Sequence, residues 1–219
     1  MTTMKHSYSA IKDFQNCARK FHEVRILKKY KSQPTEATMY GEQVHKAFED
    51  YLMKRAGLPP EYSQFEPYAR PLRNAVGEIM CEVKMGIRRD FSPCGFFDED
   101  VWFRGIPDVL ILNREKGVAR VGDWKTGKSS RFADSSQLEL MAAMVMQHYP
   151  EIHKVKGALI FVVAGDVIKS EYTREQLPDI LSRWAGHAEQ IETATVWNPK
   201  PSGLCRFCPV SSDACEYRK

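Results

Sequence analysis

At 219 residues, 43% hydrophobic and 27% charged, the chain can fill one domain with a full core and lacks the bias of a disordered or fibrous polymer. No apolar run is long enough to span a membrane, and Met1 to His6 lacks the apolar core of a secretory leader, so a cytoplasmic chain with no membrane association is expected. The formal charge of +4 permits a polyanionic partner without requiring one.

Ser7 to Leu27 reads as a helix with a serine start and a stripe of Ile11, Phe14, Ala18 and Phe21. A basic connection and Pro34 follow. Thr35 to Arg55 reads as a second helix through Val44, Phe48, Tyr51 and Leu52. His45 shares a face with Phe48, Glu49 and Leu52, where a lone histidine is more often a core residue than a ligand. Gly57-Leu-Pro-Pro60 is a break, and Pro67 to Arg89 then predicts a third helix with Leu72, Val76, Ile79, Met80 and Val83 on its apolar side. Asp90 to Asp100 reads as a loop, and Val101 to Arg104 opens a β region.

Gly105 to Lys128 predicts a β-hairpin: Val109 to Leu112, a turn over Asn113 to Gly117, then Val118 to Lys125. Ser136 can cap a helix from Gln137 to His148, with Leu138, Met141, Ala142 and Val145 buried. Val155 to Val163 is a continuous apolar run, as in a central strand. Val167 to Tyr172 alternates like its neighbour. Thr173-Arg-Glu-Gln176 resembles a capping box opening a last helix to Ile191. Trp197 to Gly203 is a proline-stiffened lead into a cysteine cluster. This order predicts an α/β architecture, a small mixed sheet flanked by helices.

The hairpin carries the chemistry. Period-two alternation puts Asp123 and Lys125 on one face and Trp124 on the other. A closed hairpin lets Asp108 approach Asp123. Two neighbouring carboxylates persist mainly with a cation between them, and such oxygen ligands suit Mg²⁺ or Mn²⁺ and a phosphate substrate. Lys125 could orient the attacking water or neutralise developing charge. The bland alternative is a solvated surface hairpin. Gly122 to Ser129 also fits the G-x-x-x-x-G-K-[ST] pattern of a nucleotide triphosphatase. Its variable positions hold bulky Asp, Trp and Lys, however, and a poor helix start follows. Of the six cysteines, Cys81 and Cys94 have no partner spacing, whereas Cys205, Cys208 and Cys215 look like metal ligands.

Taken together, GIPDVL and GDWKTGK resemble the Asp…(Asp/Glu)-x-Lys core of the PD-(D/E)XK nuclease superfamily. The closer likeness is to its RecB-type branch, which includes RecB and AddB nuclease domains, CRISPR-associated RecB-like exonucleases and phage exonucleases. Ser7-Tyr-Ser9 through Cys17-Ala-Arg-Lys-Phe21 is similar to the branch's N-terminal pattern, and Gly41-Glu-Gln-Val-His45 to its G-x-x-x-H helix. Gln137 opens a Q-x-x-x-Y motif in which Met141 stands at the Tyr position. Pro201 to Cys215 is similar to the C-terminal C-x-x-C-x6-C tail.

The resemblance implies a restriction-endonuclease-like core in a single nuclease domain over 1–219. Residues 1–60 would be N-terminal helices with Cys17 and His45, 101–172 the catalytic α/β core, and 197–219 the cysteine tail. His45, Asp108, Asp123 and the Trp124 carbonyl would hold Mg²⁺ or Mn²⁺. Asp108, Asp123, Lys125 and Gln137 would form the catalytic set, and Lys128 and Arg131 could contact DNA. Cys17, Cys205, Cys208 and Cys215 would hold a [4Fe–4S] cluster joining the two ends of the chain. Spacing alone also admits Zn²⁺, but one cysteine lying nearly a whole chain from the other three, with the likeness, favours the cluster. The implied activity is a DNA exonuclease acting on single strands or duplex ends in recombination, repair, phage DNA processing or CRISPR adaptation, with a helicase, recombination or CRISPR protein as partner. The rivals are a DNA-binding or assembly module with a silent site, and the P-loop-like triphosphatase.

Overall fold

In the computed structural model, which describes residues 4–218, a mixed five-stranded sheet divides the molecule. Its strands are β1 (Glu78–Cys81), β5 (Val109–Asn113), β6 (Val118–Lys125), β7 (Lys154–Phe161) and β8 (Asp166–Thr173), in that spatial order. Only β6 and β7 run parallel. The crossover between them is α5 (Ser136–His148), as a parallel connection requires. A small antiparallel sheet orders β3 (Pro93–Cys94), β2 (Met85–Ile87) and β4 (Phe103–Gly105). His6, just before α1, bridges Phe103.

Alternation on β5 and β6 feeds two cores. Leu110, Leu112, Ala119 and Val121 join α1 (Tyr8–Asn16), α5 and α6 (Leu177–Glu192) on one face. Val109, Ile111 and Trp124 meet α3 (Glu36–Leu52) and α4 (Glu66–Arg73) on the other. The run Leu140 to Met146 is buried without a break, which fits a helix held between sheet and helices rather than on the surface.

Several expected elements shift. The first helix breaks at Cys17, whose extended backbone (φ −166°, ψ 108°) ends α1, while its Sγ accepts the Lys20 N–H at 3.5 Å. A short α2 (Ala18–Phe21) and a π turn over His22–Ile26 complete that segment. The predicted helix over Pro67 to Arg89 is wrong beyond Arg73: β1 and β2 occupy its second half. Asn74 ends α4, and Gly77 at φ +138° turns the chain into β1. Glu78 to Cys81 belongs to the main sheet, so the α/β core begins well before 101. Part of the expected loop 90–100 forms β3. Asp134, rather than Ser136, accepts at the start of α5, taking the Ser136 N–H at 2.9 Å. The Thr173 capping box is present. The phosphate-loop pattern has no matching geometry: Gly122 to Lys125 is strand, 126–135 is irregular, and no helix opens directly behind Lys128. No helix among the described residues is long and apolar enough to cross a membrane.

Candidate active site

The hairpin register sets the site. Val109 pairs with Gly122, so Asp108, immediately before β5, lies beside Asp123, immediately after Gly122. Asp108 Oδ2 accepts the Trp124 N–H at 2.7 Å, which fixes the carboxylate across the hairpin. The Trp124 side chain turns to the opposite face and packs on Phe48 of α3, ring centroids 4.2 Å apart. One helical turn before Phe48, His45 places Nδ1 3.3 Å from Asp108 Oδ1. One turn earlier again stands Gly41, where a Cβ would lie 3.3 Å from Thr126 Oγ1. The missing side chain lets α3 approach the end of β6.

On the other face, Lys125 Nζ lies 2.6 Å from Asp123 Oδ2 and donates to Gln137 Oε1 at 3.1 Å. Gln137 Nε2 donates to Asp123 Oδ1. The amide, in the first turn of α5, therefore holds the carboxylate and the ammonium in fixed relation. Met141, four residues on, is buried in the core.

Glu82 belongs to the site, although its motif signal was absent. It follows β1 at φ +55° and brings its carboxylate to His45 and Asp108, the ligand atoms of all three lying within 4.8 Å of one another. A helix reading of its segment hid it; the alternation Glu78, Met80, Glu82 after Gly77 was the available signal. The cavity around it is lined by Gly41, His45, Glu49, Asp108 and Thr126.

The electrostatics describe a site short of positive charge. Burial, then the charge of Asp108, raise the Asp123 pKa against the opposing pull of Lys125. Burial and Asp108 raise that of Glu82 too. Burial would lower the His45 pKa, but the hydrogen bond and charge of Asp108, reinforced by Asp123, raise it instead. Asp123 Oδ2 is buried and has no hydrogen bond of good geometry; its close contact with Lys125 is electrostatic. Mutually repelling carboxylates beside an imidazole fit a hard divalent cation, which His45, Glu82 and Asp108 could hold.

A family model for the PD-(D/E)XK nuclease superfamily matches residues 5–79 and 64–216. This chain belongs to that superfamily. PD-(D/E)XK nucleases generally use divalent metals, in keeping with the carboxylate set just described. Among solved structures, the protein SSO0001 is similar over 100% of this chain and 88% of its own, at 15% identity and a TM-score of 0.51. A proposed exonuclease from Eubacterium rectale is similar over 98% of this chain and 93% of its own, at 17% identity and a TM-score of 0.54. These two likenesses speak to the fold. A search of curated protein sequences finds no match.

The remaining predicted residues fall into two places. Lys128 and Arg131 are exposed on the 126–135 loop behind Lys125. Cys17, Cys205, Cys208 and Cys215 line one cavity of about 140 Å³, with Arg19, Lys20 and Lys200 on its wall. None forms a disulfide, and no three of the four sulfurs lie within 4.8 Å of one another. The tail reaches α1 and α2 through Lys200, whose N–H donates to Cys17 Sγ at 3.5 Å, and through Trp197, stacked on His22 at 4.8 Å. Cys81 and Cys94 stand apart, and burial pushes the Cys81 thiol up to about 12, as for an inert, partly buried thiol.

Proposed function

We propose that this chain is a RecB-type, Mg²⁺- or Mn²⁺-dependent deoxyribonuclease that degrades DNA from its ends. The observation that carries the reading is the convergence of Asp108, Asp123 and Lys125 with His45, Glu82 and Gln137 at the open end of the hairpin, where the buried Asp123 carboxylate is paired with Lys125. His45, Glu82, Asp108, Asp123 and the Trp124 carbonyl are the ligand set. A divalent cation held there would supply Lewis-acid charge and lower the pKa of water at neutral pH. Lys125, a third exposed, donates hydrogen bonds that orient the attacking water and offset negative charge growing on phosphorus oxygens. Gln137 bonds both groups and keeps the Lys125–Asp123 pair in a fixed orientation. Lys128 and Arg131 contact backbone phosphates, which carry position but no sequence information.

We propose further that Cys17, Cys205, Cys208 and Cys215, which line one cavity, hold a structural [4Fe–4S] cluster rather than Zn²⁺. One cysteine lying nearly a whole chain from the other three departs from the two close pairs usual in structural zinc sites. Backbone N–H groups of Lys20 and Lys200 at Cys17, and of Ser202 at Cys205 (3.4 Å), aim at sulfur as cluster ligands favour. Its role is to clamp the C-terminal tail to α1 and α2.

The test is degradation of end-labelled linear and closed circular DNA with Mg²⁺ or Mn²⁺, wild type against Asp108→Ala. Metal-dependent loss of linear DNA alone, reduced at least about 10³-fold in the variant, is expected for loss of a group central to charge stabilisation. Cutting of circles would make the enzyme an endonuclease. Cleavage that survives Asp108→Ala would remove the activity from this site.

A further inference from the structure

A second cavity, of about 260 Å³, opens beside Lys125 and shares no lining residue with the one around Glu82. Lys125 and Gln137 form one wall, Tyr8 of α1 another, and Phe132 stands at its rim. Phe132 is 89% exposed, the most exposed of the large apolar side chains among the described residues. Leaving a phenylalanine in water forgoes a substantial burial free energy. The Arg131 guanidinium lies over its ring at 5.3 Å, and Lys128 precedes both on the same loop. A bare aromatic face beside cations is the combination that binds single-stranded nucleic acid: stacking for the base, charge for the backbone.

The opposite wall fixes which end of a nucleotide can enter. Burial would raise the Asp134 pKa, but Lys12 at 2.6 Å and Ser136 bring it down to about 2, so the group is negative. Burial and then Asp134 push the Tyr8 phenol up to about 12, so it stays neutral. The Lys12–Asp134 pair and the neutral Tyr8 leave that wall with no net positive charge to hold a phosphate, while Lys125 at the mouth, with Lys128 and Arg131 on the adjoining loop, attracts it.

We propose that this cavity receives one unpaired nucleobase of a DNA strand, stacked on Phe132, with the adjoining phosphate delivered to Lys125. The proposal deepens the nuclease reading and rests on it for the position of that phosphate. A base inside a duplex has its edge paired and both faces stacked, so it enters only after unpairing. The enzyme is therefore selective for single strands and frayed ends, and Phe132 sets that selectivity.

Binding without cleavage tests this. Wild type, Phe132→Ala and Phe132→Trp are titrated, in chelator, with a single-stranded oligonucleotide carrying 2-aminopurine and with a blunt duplex of the same length. Phe132→Ala should weaken single-strand binding about tenfold and relieve the quenching of the stacked 2-aminopurine, while Phe132→Trp retains both. The ratio of single-strand to duplex affinity should fall by the same factor. Equal losses on both DNAs, no loss on either, or no single-strand binding by wild type would overturn the proposal. Phe132-dependent binding by a protein that cleaves nothing with metal would uphold the cavity and sink the nuclease reading instead.

Discussion

Glu82 holds its carboxylate at His45 and Asp108 from a left-handed backbone, a conformation that costs a non-glycine residue about 1–3 kcal/mol and is found where function requires it. The side chain is exposed at the mouth of the His45–Asp108 cavity, where a cation from solvent can reach it. Glu82→Gln should weaken Mn²⁺ binding by at least about tenfold, since even outer partners of a metal site cost that much. Titration calorimetry measures it, and an unchanged affinity would remove Glu82 from the ligand set. The five residues that the motifs named could be picked out as candidates because their spacing is local. Asp123-Trp124-Lys125 is one strand, Asp108 lies across a short hairpin, and Gly41 to His45 is a single helical turn. Glu82 had no such local mark, and neither did Tyr8, which meets Lys125 and Gln137 only after α1 packs on α5.

At the scale of elements, the stretch 67–89 shows where pattern reading stops. Leu72, Val76, Ile79, Met80 and Val83 satisfy a helical period, yet Val76 is 74% exposed and Ile79 and Met80 alternate across β1. Short apolar runs carry both periods, and the deciding residue is Gly77. A Cβ there would sit 2.6 Å from Leu112 O, a backbone atom of the neighbouring strand that cannot yield, and φ +138° is strained for any other residue. Gly77→Ala should therefore destabilise by about 2–4 kcal/mol and lower Tm by roughly 5–15 °C. Thermal unfolding followed by circular dichroism checks it; an unshifted Tm would mean that β1 is not anchored through this glycine. Elements with long single-period signals were read well: Thr35 to Arg55 becomes Glu36–Leu52, and Val155 to Val163 becomes Lys154–Phe161.

Across the whole molecule, the sequence order predicted the mixed sheet and its flanking helices, because alternating strand and helix signals leave few ways to bury both faces. Of the small β3-β2-β4 sheet only β4 was legible, in the β region read from Val101, since these strands are two or three residues long and exist only through pairing with one another. The two ends of the chain meet at the cysteine cavity, which closes a loop from Cys17 to Cys205. If a cluster closes it, Cys208→Ala should abolish iron content and visible absorbance and cost about 2–5 kcal/mol, the scale of losing a native cross-link. Wild-type protein that carries zinc, or no metal, after anaerobic purification would count against the cluster.

His45, Glu82 and Asp108 come together from a helix, a strand end and one arm of a hairpin, with Asp123 opposite Asp108 on the other arm. Scattered along an unfolded chain, the same four side chains form no chelate. Affinity for the cation is then inseparable from the work of folding: at a hundredfold excess over Kd, saturation adds about 2.7 kcal/mol to the native state. A melting curve recorded with and without Mn²⁺ becomes a calorimeter for the active centre, reading its occupancy with no DNA present. Acid, by protonating His45 and the carboxylates, should lower that reading before it unfolds the protein.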